Sequence, residues 1–272
     1  MQGISPEVRD IGRFIRDRRE ATPTSNYAQL PQRRRHVPHL TQGDLAELVH
    51  VSNVVISQIE QGRYPNLTHA VLQRIVKALQ FTPQQEVYVM GMLEPRAAVQ
   101  KSLEPAPEWV TKSINLTAHP VGVVNPAYDV LAINPKLLAL FGHVRSGFAT
   151  KRNAATSIFT LPGVRELIDD WSAYSASVVS GLRISYAMFP NWRDYIDDLV
   201  ERLRETDPWL GACWDRDNPL IKPTMEKTFH HPEVGEIRLM QILTDIVEAP
   251  GLTKIEFMPA DEESAAKIAN LG

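Results

Sequence analysis

The segment Thr41-Gln42-Gly43-Asp44-Leu45-Ala46-Glu47-Leu48-Val49-His50-Val51-Ser52-Asn53-Val54-Val55-Ile56-Ser57-Gln58-Ile59-Glu60-Gln61-Gly62 decides how the rest of the chain is read. Thr41 is an N-cap residue, and Leu45, Ala46 and Leu48 follow it at helical spacing. Ser52 caps a second short helix that carries Val55, Ile56 and Ile59 on its apolar side and stops at Gly62. Leu45, Ala46, Val51, Ile56 and Ile59 are the positions that a helix-turn-helix must bury. Ala46 has to be small, because the second helix crosses there. Ser52 leaves the first turn of that helix free to enter a groove.

More helices flank this pair. Val8, Ile11, Phe14 and Ile15 share one face of a helix over 8–20. Residues 21–38, with three prolines and the run Arg33-Arg34-Arg35, read as a loop. Thr68 caps a helix bearing Val71, Leu72, Ile75, Val76 and Leu79, and Pro83 opens another that runs to about Leu93. Five helices and no strand thus precede a proline-marked linker over 95–107. The rhythm then changes. Val121-Gly122-Val123-Val124 and residues 128–133 are short strands around an Asn125-Pro126 turn, and a short helix follows over 135–141. An apolar stripe over 164–182 predicts one long amphipathic helix, and Trp192, Tyr195, Ile196, Leu199 and Leu203 predict another. Strands over 225–230, 236–247 and 253–258 close the chain, and Asp261 caps a last helix.

The 272 residues suit two domains, placed at 1–95 and 108–272. Hydrophobic residues make up 43% and charged residues 22%, which excludes a disordered, collagenous or coiled-coil chain. No apolar run is long enough to span a membrane, and the Arg-rich start lacks the core of a signal peptide. A lone cysteine, Cys213, fits a reducing cytoplasm. Net charge is −3, but it is unevenly shared: residues 1–100 hold 12 Lys and Arg against 9 Asp and Glu, and the remainder holds 17 against 23. Eight Arg against three acids between Arg9 and Arg35 suit a polyanion.

Segment 41–62 closely resembles the helix-turn-helix of the XRE, lambda-repressor-like family, whose pattern is Gln, Leu-Ala, a turn Gly, Val-Ser, Ile-Ser and Glu-x-Gly. His50 stands at the turn Gly, a position needing positive φ, which His tolerates better than most side chains. The resemblance implies that Gln42 meets a phosphate or base, that Ser52 opens the recognition helix, and that Asn53, Val54, Ser57 and Gln58 face base edges of double-stranded DNA. Asn and Gln can pair with adenine, and Val can pack on a thymine methyl. Arg63 and Asn66 would hold phosphate, as would Arg33, Arg34 and Arg35. A helix-turn-helix kept only for protein contacts is the competing reading. It is disfavoured because the polar face offers no apolar patch.

The whole order of elements looks like the MmyB-like branch of those regulators. His119-Pro120-Val121-Gly122-Val123-Val124-Asn125-Pro126-Ala127-Tyr128-Asp129-Val130-Leu131-Ala132-Ile133-Asn134 resembles that branch's hairpin, with Tyr128 where its Trp stands. Phe229-His230-His231-Pro232-Glu233-Val234-Gly235 resembles its late turn. The resemblance implies a lambda-repressor-like five-helix DNA-binding domain followed by a PAS-like domain, α+β, with a five-stranded antiparallel sheet and inserted helices. The strand count reaches five independently. A PAS-like sheet leaves a pocket, for which Phe141, Trp171, Tyr174, Trp192, Trp209 and Trp214 are candidate linings. Ordinary core packing is the competing reading for each. Arg183, at the end of the apolar stripe, is a candidate anchor for a carboxylate, and His231 a further candidate contact.

No nucleotide, hydrolase or metal motif occurs, so neither catalytic nor metal-binding residues are assigned. The expectation is a ligand-responsive DNA-binding regulator, working as a homodimer on two half-sites. Its ligand would be a small apolar molecule, such as a fatty acid. The alternatives are a protein-interaction module, or an enzyme on the PAS-like half.

Overall fold

The computed structural model describes residues 6–28, 30, 37–94, 104–141, 153–215 and 226–271. Its contacts divide the chain into two compact units, one N-terminal and one C-terminal.

The described residues of the N-terminal unit form five helices: α1 (Pro6–Glu20), α2 (Gln42–Val49), α3 (Asn53–Glu60), α4 (His69–Ala78) and α5 (Pro83–Leu93). A 3₁₀ turn over Thr24–Asn26 interrupts the expected loop. Capping residues start each of α2 to α5. Thr41 and Asp44 form a capping box on α2, Ser52 Oγ accepts from the Val55 amide on α3, and Thr68 and Thr82 cap α4 and α5. Ile11, Phe14 and Ile15 of α1 are buried, and Phe14 meets Phe81 and Tyr88 edge-on at 5.4 and 5.5 Å. Gly12 lets α1 approach α3: a Cβ there would lie 2.2 Å from the Ile59 carbonyl oxygen.

The C-terminal unit begins with α6 (Glu108–Asn115), which the sequence reading leaves unassigned. The hairpin β1 (Val121–Val124) and β2 (Val130–Ile133) leads into α7 (Pro135–Leu140). Among the described residues five further helices come before the remaining strands: α8 (Ala154–Thr160), α9 (Pro162–Leu167), α10 (Trp171–Met188), α11 (Arg193–Thr206) and α12 (Pro208–Trp214). β3 (Glu226–His231), β4 (Gly235–Asp245) and β5 (Thr253–Pro259) follow, and α13 (Glu262–Asn270) ends the unit. The sheet is antiparallel throughout, in the order β2-β1-β5-β4-β3. This is the expected fold class: a helical unit, then a PAS-like five-stranded sheet with inserted helices. Among the described residues no helix is long and apolar enough to cross a membrane.

Asn134 joins three pieces of this unit. Its Oδ1 accepts from the amides of Val121 and Leu137, and its Nδ2 reaches the carbonyls of Ile114 and His119. The single helix expected over 164–182 is instead two helices. Ile168 leaves the helix to bridge Phe229 on the edge of β3, the Asp169 amide donates to the Thr228 carbonyl, and Asp170 caps a new helix. An apolar residue at 168 suits either conformation, so the pattern alone ran through the break. Tyr128 lies outside β2, with φ of 66°.

Candidate functional site

In the N-terminal unit the site is built on a turn. His50 ends α2 in the left-handed region, at φ 55° and ψ 51°, and the Val51 amide donates back to the Ala46 carbonyl. That reversal sets α3 across α2 over the small Ala46, which is buried. Leu45, Ile56 and Ile59 are buried with it.

The other side of α3 is open. Ser52, Asn53, Val54 and Gln58 are exposed, with Val54 at 64%, and Arg63 and Asn66 are exposed beyond the helix. Ser57 is half-buried, and its Oγ accepts from Gln61 Nε2 at 3.0 Å. The Ser52 hydroxyl oxygen accepts as the cap, which leaves its hydrogen to donate elsewhere. The expected base-facing residues thus share one accessible surface. Gln42 is otherwise engaged: its Nε2 donates to Glu60 Oε2 at 2.7 Å. Only its second N–H and its carbonyl remain for the expected contact. Arg33, Arg34 and Arg35 lie outside the described residues.

Sequence reasoning met Glu60 only as the Glu of the Glu-x-Gly pattern and gave it no role. Its carboxylate is fully buried and receives Arg19 Nε at 2.6 Å, Arg19 Nη2 at 3.0 Å and Gln42 Nε2. Arg16 adds a bond to the Glu60 carbonyl at 2.9 Å. The network ties α1 and α2 to the end of α3. Residues 19 and 60 are too far apart in sequence for any local signal.

In the C-terminal unit the helices and sheet form a partly open cavity of about 50 Å³. Gly122 and Val124 of β1, Val130 of β2, and Leu137 and Phe141 at α7 form one side. Ala154, Ile158, Tyr174 and Val178 come from α8 and α10. Gln241, Ile255 and Phe257 come from β4 and β5, and Tyr128 completes the wall. Among the described lining residues, the polar side chains are the Gln241 amide and the two phenols.

Burial pushes the Tyr128 phenol up to about 12. It pushes Tyr174 higher still, with Tyr128 nearby adding to the effect, so both stay neutral donors at ordinary pH. Tyr128 fits because Gly181 on α10 has no Cβ; one would meet its Oη at 2.0 Å. Its positive φ is held by a buried polar cluster. Asn125 Oδ1 accepts the Ala127 and Asp129 amides, and Asp129 accepts from Asn125 and Asn153, both at 2.9 Å, and from the Tyr195 hydroxyl at 3.2 Å.

Of the expected lining residues, Phe141 and Tyr174 are in this wall; the others are elsewhere. Trp171 stacks edge-on with Phe159, beneath the Arg165 guanidinium. Trp192 is core, against Tyr195. Trp209 Nε1 donates to Ser175 Oγ at 3.0 Å, and Trp214 packs on Tyr186. Trp171, Trp209 and Trp214 thereby each join one inserted helix to another.

Arg183 is half-buried and absent from the wall. It lies five residues past the lining residue Val178, about 140° around α10. His231 is a turn residue: its Nδ1 accepts the Glu233 amide, and its Nε2 lies 3.3 Å from the Ala139 carbonyl oxygen.

Two family models match this chain. The MmyB-like transcription regulator ligand binding domain matches residues 114–271, more than half of the chain, and a helix-turn-helix domain matches residues 10–87. No curated protein matches it.

Proposed function

The chain belongs to the MmyB-like transcription regulators, and from that premise we propose a sequence-specific regulator that binds DNA as a two-fold dimer and answers to a small, mainly apolar ligand. The coarser statement, a DNA-binding transcription regulator with a ligand-binding domain, follows from the two matched domains. The observation that carries the finer reading is the exposed surface of α3, where Asn53, Val54 and Gln58 are accessible while the opposite face is core. Asn53 and Gln58 would pair with base edges, and Val54 would cover a thymine methyl. Arg63, Asn66 and Arg34 would hold phosphates. One helix of this length reads few base pairs, so two half-sites and a dimer supply the rest of the selectivity.

The test is a gel-shift titration on the DNA upstream of the protein's own gene, against random DNA. Gln58→Ala should weaken specific binding by ~1–3 kcal/mol and leave random binding nearly unchanged. Equal losses on both DNAs would place the reading face elsewhere.

The cavity supports the ligand half of the proposal. Its wall is nearly all apolar, so a hydrocarbon group gains about 0.8 kcal/mol per buried methylene. At about 50 Å³ it takes a short group as it stands. A longer hydrocarbon chain would need the cavity to widen. Calorimetry with straight-chain acids of about four to sixteen carbons should show affinity rising with length and then levelling off, at the length the cavity can open to.

A further inference from the structure

On β3 the side chains alternate, and Lys227 shares the inward face with Phe229 and His231. It stands opposite Leu239 in the register with β4, and Leu239 is completely buried. Gln241, the polar residue of the cavity wall, is the next inward position on β4. Lys227 is only 6% exposed. Among the described residues its Nζ has no hydrogen-bond partner. Its neighbour is a ring: Nζ lies 5.2 Å from the centre of Tyr174, which also lines the cavity. The Asp170 carboxylate acts on it through space, but Asp170 is exposed and accepts the Ala173 amide as the cap of α10.

An ammonium in such a place is costly. Lysines are almost never fully buried unless paired, and a buried charge with no hydrogen-bonded counter-charge is strongly disfavoured. A methionine of similar length would fill the space without that cost. A ligand that brings its own negative charge would supply what is missing.

We propose that Lys227 is the anchor for an anionic head group, a carboxylate, on the molecule that occupies the cavity. Lys227 is not itself a lining residue; it neighbours the cavity through Tyr174, which lines it and whose ring centre lies 5.2 Å from the ammonium. The inference rests on the ligand reading above and adds to it the residue that holds the head group. It gives Lys227 the part that the sequence suggested for Arg183. Burial lowers the Lys227 pKa by more than the Asp170 carboxylate raises it, and a bound carboxylate would raise it again.

The experiment uses the full-length protein with octanoate and 1-octanol, which share a hydrocarbon chain and differ in the charge of the head. Binding to wild type and to Lys227→Met is measured by calorimetry, and the melting temperature of each ligand-free protein is recorded. Wild type should bind octanoate at least about tenfold more tightly than the alcohol, the fold-change expected of a hydrogen bond to a charged group. Lys227→Met should bind the two within about threefold, keep the wild-type affinity for the alcohol, and melt at a higher temperature than wild type.

Wild type binding both probes equally overturns the anchor while leaving the apolar cavity as a ligand site. A carboxylate preference that persists in Lys227→Met overturns it too, as does a lower melting temperature for that variant, which would make Lys227 a structural residue. Binding of neither probe overturns the ligand reading and the anchor together.

Discussion

Both units of this protein bury charged side chains, and two of them, Glu60 and Lys227, are treated in opposite ways. The Glu60 carboxylate in the N-terminal unit is surrounded by donors: Arg19 grips both oxygens and Gln42 takes one of them again. The Lys227 ammonium in the C-terminal unit has no hydrogen-bond partner among the described residues. A charge that the chain satisfies by itself is a fastening, and it makes one arrangement of helices better than the rest. A charge that the chain leaves unsatisfied is tolerated at a cost in stability, and the cost is recovered when something from outside pairs with it. On the proposal above, the contrast makes Glu60 part of the scaffold and Lys227 part of the ligand site.

The largest expected effect tests the fastening. Glu60→Ala leaves the Arg19 guanidinium buried without its counter-charge, and removing one partner of a buried pair costs about 3–5 kcal/mol. Urea unfolding should show that loss in the N-terminal unit, and DNA binding should fall with it, because α3 is no longer tied to α1 and α2. A loss below about 1 kcal/mol would mean that the network is incidental and that the comparison with Lys227 fails at its first term. Lys227→Met should move stability the other way, so opposite signs for the two removals are what the contrast requires.

The second test is pH. Lys227 has a lowered pKa when folded, so between that value and its ordinary 10.5 the unfolded chain holds more protons than the folded one. Stability therefore rises with pH through that range as the penalty is relieved. Tyr128 and Tyr195 act in the opposite sense. Burial raises both to about 12, and the Asp129 carboxylate adds to the effect at Tyr195. Their contribution is whole below pH 10 and is lost as pH rises through 12. Unfolding midpoints collected from pH 8 to about 11.5 should climb and then fall. In Lys227→Met the climb contributed by this residue should vanish and the fall remain. An unchanged climb in that variant would mean that the folded protein does not perturb Lys227.

Legibility differed between the units for a physical reason. The helix-turn-helix is a local object: its caps, its small crossing residue and its turn all lie within 41–62, and the sequence displays them in order. The five strands were legible too, because antiparallel ladders alternate and Asn-Pro and Pro-Gly mark their turns. The cavity was not. Its wall takes residues from four strands and three helices, and nothing in any one segment tells a lining side chain from the layer behind it. Trp171, Trp192, Trp209 and Trp214 drew attention as large aromatics on helical stripes, and core packing is what such stripes usually serve. The Arg19–Glu60 pair spans 41 residues of sequence and leaves no periodic trace. Lys227 did leave one: two residues before Phe229 on a strand, alternation alone puts it on the buried face.

The smallest expected effect concerns strain, and it extends the same contrast. Each unit has a non-glycine residue at positive φ by its site: His50 at 55° in the helix-turn-helix and Tyr128 at 66° in the cavity wall. His50 is exposed, and its backbone alone makes the turn. Its side chain therefore carries strain without serving the site, and His50→Gly should remove it. The left-handed region costs an ordinary side chain roughly 1–2 kcal/mol, and the freer unfolded glycine takes part of that back. A net gain of about 0.5–1 kcal/mol is expected in urea unfolding, with DNA affinity unchanged within about twofold. Tyr128→Gly relieves the same kind of strain but removes a wall of the cavity and the ring seated against Gly181, so it should destabilise the C-terminal unit and weaken octanol binding. A loss of stability in His50→Gly would show that the imidazole itself holds the turn, and strain in the two units would then be of one kind.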